Sequence, residues 1–289
     1  MDPQQLKLRP NQQAFVERFV KACEADDRVV AAFLGGSNAK GYADPYSDVD
    51  LCVITTDPAF EEFFREREAF LRSLGELVFL TNFDTPNAAF YIYGDDTEGE
   101  LNFSSEGRLE EIHSGPFHIL LNKKHLLDGA EFPERVPAAS EQTEKLRAQV
   151  HVFWHELSHF ITAMQRGQIW WARGQLESLR SICVNLARLQ HNILDADVGE
   201  EAYFKIETVM PVEQLSALKE TFCPMEKESM LAAALVIVRF YLEIAPALAQ
   251  KHEVPYSHSL ERVMMDRLKR LQDEWSGWRV CLPTLRFGE

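Results

Sequence analysis

The sequence predicts an α+β domain followed by an all-α helical bundle, and three observations carry that prediction. Up to about residue 135, short apolar runs of strand length alternate with segments of helical period. Beyond that point strand-like runs all but vanish and long helical patterns take over. Between the two regimes, Pro133 to Ser140 is rich in Pro, Ala and charge, the composition of a boundary. The two domains are therefore placed at 1–135 and 136–289.

The elements follow in order. Phe15, Val16, Phe19, Val20 and Cys23 recur at helical spacing, giving a first amphipathic helix over Asn11 to Glu24. Val29 to Leu34 is a wholly apolar run and reads as a strand, followed by the turn Gly35-Gly36-Ser37. A short helix or polar loop leads to Ser47-Asp48-Val49-Asp50, which opens a second strand through Ile54. Thr55-Thr56-Asp57-Pro58 supplies cap and helix-start chemistry, and Phe60, Phe63, Phe64, Phe70, Leu71 and Leu74 mark one helix ending near Gly75. Glu76 to Leu80 is a short strand, Phe83 to Asn87 a loop, and Ala88 to Tyr93 with Glu100 to Ser104 a β-hairpin. Leu109 to Ile112 gives one helical turn and Phe117 to Leu121 a last strand. In the second half, helices are expected over Glu141–Arg166, Ile169–Leu194, Val212–Phe222, Met225–Gln250 and Ser257–Trp275, with Pro246 kinking or shortening the fourth.

The balance of 45 acidic against 30 basic residues gives a net charge of −15, which argues against broad binding to a nucleic-acid backbone; the surplus reads equally as attraction for a cationic small molecule or as a solubilising surface. Cys23, Cys52, Cys183, Cys223 and Cys281 are odd in number, scattered and free of any C-x-x-C pair, as expected of reduced thiols in a cytoplasmic protein. The first residues lack a basic segment followed by an apolar core, so no signal peptide is expected. The longest apolar stretch, around Met230 to Val238, is too short to span a bilayer, so no membrane partner is expected either.

The chemistry concentrates between Gly35 and Leu51. Side chains alternate across a strand, so Asp48 and Asp50 share a face while Val49 and Leu51 take the other. Two adjacent carboxylates repel, and a hard divalent cation between them relieves the repulsion. Gly36 and Ser37 offer backbone N–H groups and a hydroxyl to a phosphate. A phosphate cradle and a paired-carboxylate metal site this close together point to Mg²⁺-nucleotide chemistry. The segment is not a Walker P-loop, because no G-x-x-x-x-G-K-[ST] occurs.

Gly36-Ser37, a gap of ten residues, and Asp48-Val49-Asp50 between apolar flanks together resemble the signature of the nucleotidyltransferase superfamily that includes DNA polymerase β. Ala39, Gly41 and Ser47 bring the match closer to its small-molecule branch, the aminoglycoside and lincosamide enzymes. Trp170-Trp171 and Arg166-Gly167, near a helix junction, look like the C-terminal domain of streptomycin-type adenylyltransferases. The resemblance implies a nucleotidyltransferase fold, a mixed sheet flanked by helices, whose partner is a substrate-binding bundle, with the active site between them. It implies attack by an acceptor hydroxyl on the α-phosphate of ATP or another NTP. Asp48 and Asp50 would hold Mg²⁺, with Gly36, Ser37, Lys40, Ser47 and Lys205 on the nucleotide side, although the plainer reading of Lys40 is a solvated loop lysine. The family pattern places a third acid where this chain has Asn102, and an amide cannot take a proton at neutral pH. Glu100, two residues away on the same face, would replace it if the register slips. Without a working base, the fold would serve as a nucleotide- or protein-binding module.

A second motif competes. His155-Glu156-Leu157-Ser158-His159 is an H-E-x-x-H, with His151 one turn earlier, and it would suit a zinc peptidase if an acid such as Glu177 completed the site. The plainer reading is one polar face of the first bundle helix. Trp154, Trp170 and Trp171 are expected either in the core or stacked on a substrate. His113, His118, His191 and His258 form no constellation and receive no role.

Overall fold

The computed structural model describes residues 7–82, 86–134, 138–191 and 202–275. Two compact units divide the chain, Met1–Arg135 and Val136–Glu289. Most of the Phe83–Asn87 loop and the tail of the second bundle helix beyond residue 191 lie outside the described residues, as does Cys281. The fold is α+β with an all-α second half, as the pattern of short and long apolar periods predicts.

The first unit is a six-stranded sheet in the order β3-β4-β5-β2-β1-β6. Its strands are β1 (Val29–Leu34), β2 (Leu51–Thr55), β3 (Leu77–Thr81), β4 (Ala88–Tyr93), β5 (Glu98–Ser105) and β6 (His118–Asn122). Every neighbouring pair is antiparallel except β2 and β5, which run parallel at the centre. Helix α1 (Pro10–Ala25) lays Phe15, Val16 and Phe19 on one face of the sheet, against Leu34, Leu51, Val53, Leu101 and Phe103. The opposite face carries a smaller core of Val30, Ala31, Phe33, Cys52, Ile54, Leu127 and Phe132. The period-two alternation of β2 and β5 therefore sends Leu51 and Leu101 to the α1 face and their neighbours to the other.

Of the two forms expected after the glycine turn, Gly36–Lys40 takes the short helix, α2. Two local expectations change. Asp48 and Asp50 precede β2 instead of standing in it. The helix expected over residues 60–74 is two, α3 (Phe60–Arg65) and α4 (Arg67–Ser73), separated at Glu66, where φ −89° and ψ 1° leave helical geometry. The carboxylate of Glu66 is drawn to Arg28 at 2.7 Å.

The second unit consists of α5 (Ala139–Gln165), α6 (Ile169–Gln190), α7 (Ile206–Val209), α8 (Val212–Glu220), α9 (Lys227–Lys251) and α10 (His258–Trp275). Pro246 lies inside α9 without ending it. Helix α9 is apolar over more than Met230–Val238 and is long enough to cross a bilayer, but 61% of its most apolar window is buried within the unit. It is the core helix: Tyr241 stacks on Phe153 with ring centroids 3.6 Å apart and planes at 7°, and its hydroxyl donates to Val150 O at 2.8 Å. Arg180 is fully buried, donating to Thr221 Oγ1 at 2.6 Å and Thr221 O at 2.9 Å, paired with Glu177 and lying over the Phe222 ring. A buried guanidinium with that many partners avoids the cost of an unpaired charge. Among the described residues Cys23, Cys52, Cys183 and Cys223 are free thiols.

Gly99, in β5, has no room for a side chain. An added Cβ would stand 2.1 Å from Val49 O and 2.8 Å from Val49 N. Gly99→Ala should therefore lower stability by about 1–3 kcal/mol through backbone displacement, read as a fall in the urea midpoint.

Candidate active site

The site grows from the turn after β1. Gly35 N donates to Asp50 O at 2.8 Å, which ties the turn to the segment entering β2. Gly36 has φ +58°, and a Cβ on it would lie 1.7 Å from Asp50 Oδ2. Both facts demand glycine: the conformation is left-handed, and the space belongs to a carboxylate. Asn38 Nδ2 donates to Asp48 O at 3.1 Å, Val49 N donates to Glu98 O at 2.9 Å, and the buried Tyr91 hydroxyl donates to Val49 O at 2.6 Å. An extended segment with no ladder of its own on the α2 side is thus held by a side chain, a strand and a phenol.

Glu100 joins this segment through the sheet register. In the parallel pairing Leu51 faces Leu101 and Cys52 faces Asn102, which puts Glu100 beside Asp50 with no slip. Asn102 stands two residues further along, beside Cys52. The chemistry agrees with the geometry. Burial pushes the Asp50 carboxyl up to about 7, reinforced by the charges of Asp48 and Glu100, while Lys40 acts in the opposite direction. Glu100 is also raised, first by burial and then by Asp48. Three carboxylates therefore sense one another at the mouth of the β2/β5 pair, with the Lys40 ammonium near enough to offset part of the charge.

The remaining predicted residues fall into place around or away from this group. The first N–H groups of α2, at Gly36 and Ser37, lack intrahelical partners, as at any helix start. The Ser37 hydroxyl oxygen is buried and makes no hydrogen bond among the described residues, and the same holds for Asn38 Oδ1. Ser47 closes its own loop: its Oγ accepts from Asp44 N at 2.9 Å and donates to Asp44 Oδ1 at 3.3 Å, while its carbonyl accepts from Gln12 Nε2 at 2.7 Å. Lys205 belongs to the second unit, in left-handed conformation before α7, with its ammonium over the Phe204 ring.

Two residues escape the sequence reading. Asn38 fixes the backbone of Asp48, and its place directly after Gly-Gly-Ser is the available signal. His113, given no role by the sequence, lies over the turn, with Cε1 2.8 Å from a Cβ built on Gly35, and packs against Phe33, Phe117 and Phe132. One ring nitrogen bonds Pro116 O at 2.9 Å, and burial lowers its pKa. In the second unit, His155, Glu156 and His159 do come together on α5. Glu177, the acid considered for that group, is instead engaged by Arg173, Arg180 and Tyr203. Trp154 is buried and Trp171 half-buried against the bundle core, while Trp170 is 83% exposed.

The raised Asp50 carboxyl makes a stability prediction. The native state keeps a proton there that the unfolded chain has lost, so the penalty is absent below about pH 4 and grows as pH rises through 7. In chelator-treated buffer at pH 8, Asp50→Asn should be more stable than wild type by on the order of 3 kcal/mol, and the gap should close near pH 4. Denaturant titrations at the two pH values measure it.

No curated protein sequence matches the chain. Among solved structures, an aminoglycoside 6-adenyltransferase from Bacillus subtilis aligns over 90% of this chain and 97% of its own, at 12% identity and a TM-score of 0.42. A nucleotidyltransferase-like protein from Exiguobacterium sibiricum 255-15 aligns over 92% and 89%, at 13% identity and a TM-score of 0.31. A family model described as streptomycin adenylyltransferase matches residues 9–271, taking in the glycine turn, all three carboxylates and nearly the whole helical unit. A match of that extent, on a chain whose sheet gathers these acids beside a glycine turn, makes the chain a member of the streptomycin adenylyltransferase family.

Proposed function

We propose that the protein is a Mg²⁺-dependent adenylyltransferase that moves AMP from ATP to a hydroxyl of a small, cationic, hydroxylated acceptor of the aminoglycoside type. The observation that carries this reading is Glu100 beside Asp50, which supplies a third carboxylate where the sequence pattern offers only Asn102. The residues fit a divalent cation and a triphosphate. Burial, and after it the charges of Asp48 and Glu100, pushes the Asp50 carboxyl up to about 7, a cost that a cation would relieve. The Ser37 hydroxyl is buried with no partner among the described residues, and Gly36 leaves the space of a side chain to the Asp50 carboxylate.

In this reading Asp48 and Asp50 hold the ion. When bound there, Mg²⁺ supplies neutralisation of phosphate charge and of the pyrophosphate leaving group. The N–H groups of Gly36 and Ser37 and the Ser37 hydroxyl bind phosphate oxygens, and Lys40 adds a positive charge on the same side. Glu100 orients the acceptor hydroxyl and takes its proton as the oxygen attacks the α-phosphorus and the bond to the β-phosphate oxygen breaks. A raised pKa suits that task, because the best base titrates near the working pH. The net charge of −15 favours approach of a cationic acceptor, the class to which the family's namesake, streptomycin, belongs.

The test uses the full chain with ATP, MgCl₂ and a panel of aminoglycosides and lincosamides, reading pyrophosphate release. Acceptor-dependent release is expected. Asp48→Asn and Asp50→Asn should abolish it, and Glu100→Gln should lower kcat by about 10²–10⁴ with little change in the KM for ATP. Wild-type turnover in Glu100→Gln would remove Glu100 as the base. Nucleotide binding without turnover on any acceptor would favour the binding-module reading that Asn102 suggests. Ser37→Ala should raise the KM for ATP by about tenfold, consistent with about 1.4 kcal/mol for a phosphate hydrogen bond. The same variant should leave the nucleotide-free protein as stable as wild type or more so, because an unpaired buried hydroxyl is removed.

A further inference from the structure

The proposed reaction leaves one built group of ligating side chains unused. On α5, His155 and His159 stand one helical turn apart with ring centroids 4.1 Å apart, and Glu156 Oε1 lies 2.8 Å from His155 Nδ1. One ligating atom from each of the three falls within 4.8 Å of the others. A run of surface histidines would give the same spacing, and His151 one turn earlier is exposed and outside the group. What sets the three apart is the layer behind them.

Glu156 is only partly exposed, and its second oxygen is held from the neighbouring helix. With the Gln175 amide oriented to satisfy both of its ends, Gln175 Nε2 donates to Glu156 Oε2 at 2.6 Å and Gln175 Oε1 accepts from Trp171 Nε1 at 3.2 Å. The Trp171 ring also lies beside His159, 5.5 Å between centroids. Helix α6 thus fixes the carboxylate and flanks one imidazole, which is how outer partners orient the ligands of a metal. An ordinary solvated helix face has no such backing.

We propose that His155, Glu156 and His159 form a Zn²⁺ site, separate from the carboxylates of the first unit. Two imidazoles and one carboxylate match the ligand preferences of zinc, whereas Mg²⁺ prefers an all-oxygen octahedron. Binding replaces the contact between His155 Nδ1 and Glu156 Oε1 with a bond from each atom to the ion. The exposure of His155 leaves the fourth position to water. The site differs from that of an H-E-x-x-H peptidase, where the glutamate stays off the metal as a base: here Glu156 is itself a ligand through Oε1, with Oε2 held by Gln175.

The full-length protein, treated with chelator and dialysed free of it, is titrated with ZnCl₂ in excess MgCl₂ by calorimetry in buffers of different ionisation enthalpy. One equivalent should bind with proton release, and zinc should raise the Tm. H155A/H159A should lose the binding and the Tm shift while keeping the metal-free Tm and circular dichroism, since the two side chains are exposed or half-buried. Gln175→Ala should weaken binding by about tenfold, an effect that a bare pair of surface histidines would not show. No uptake at about 100 µM zinc, or uptake undiminished in H155A/H159A, would overturn the proposal. Equal affinity in Gln175→Ala would reduce the site to two surface imidazoles and overturn it as a built centre.

Discussion

The close approach of Gly36 to the Asp50 carboxylate is the constraint on which the first unit's chemistry depends. No residue with a side chain fits there, and the Gly35 N–H bond to Asp50 O fixes the same two segments through the backbone. The turn that would receive phosphate and the acid that would hold a metal are therefore one rigid object. The arrangement has an electrostatic cost: burial, with the charges of Asp48 and Glu100 adding to it, pushes this carboxyl up to about 7. Local strain of this electrostatic kind is characteristic of sites tuned for charged ligands, because the ligand supplies the missing counter-charge.

Much of the architecture is legible in the sequence because periodicity reports burial. The first helix, the apolar strands, the hairpin and the long bundle helices all follow from which positions must leave water. The failures have specific physical reasons. Asp48 and Asp50 read as strand residues because they alternate with apolar neighbours, yet their backbone partners are the Asn38 side chain and the Gly35 turn. The single helix expected after β2 breaks at Glu66, which has no breaker residue but is drawn to Arg28 across a long sequence distance. Helix α9 shows the reverse case: Pro246 invites a break that tertiary packing overrides.

The candidate site was half legible. Gly36, Ser37, Asp48 and Asp50 announce themselves by type and spacing, but the choice between Glu100 and Asn102 does not. Both lie on the same face of β5, and a period of two cannot distinguish positions two apart. His113 was invisible for a different reason: its neighbours Phe33, Phe117 and Phe132 come from three separate segments. The H-E-x-x-H motif was plain in the sequence, whereas its support by Gln175 and Trp171 exists only after α5 and α6 pack.

Gly99 gains a second meaning from this register. Sliding β5 by two residues would keep every apolar side chain on its own face, so hydrophobic burial alone gives little reason to prefer one setting. The slide would exchange Glu100 for Asn102 beside Asp50 and turn a carboxylate into an amide. It would also drive Leu101 into the place of Gly99, where even a methyl group collides with the Val49 backbone. The glycine is thus a steric key: the absence of a side chain at one strand position selects which chemistry stands at the next.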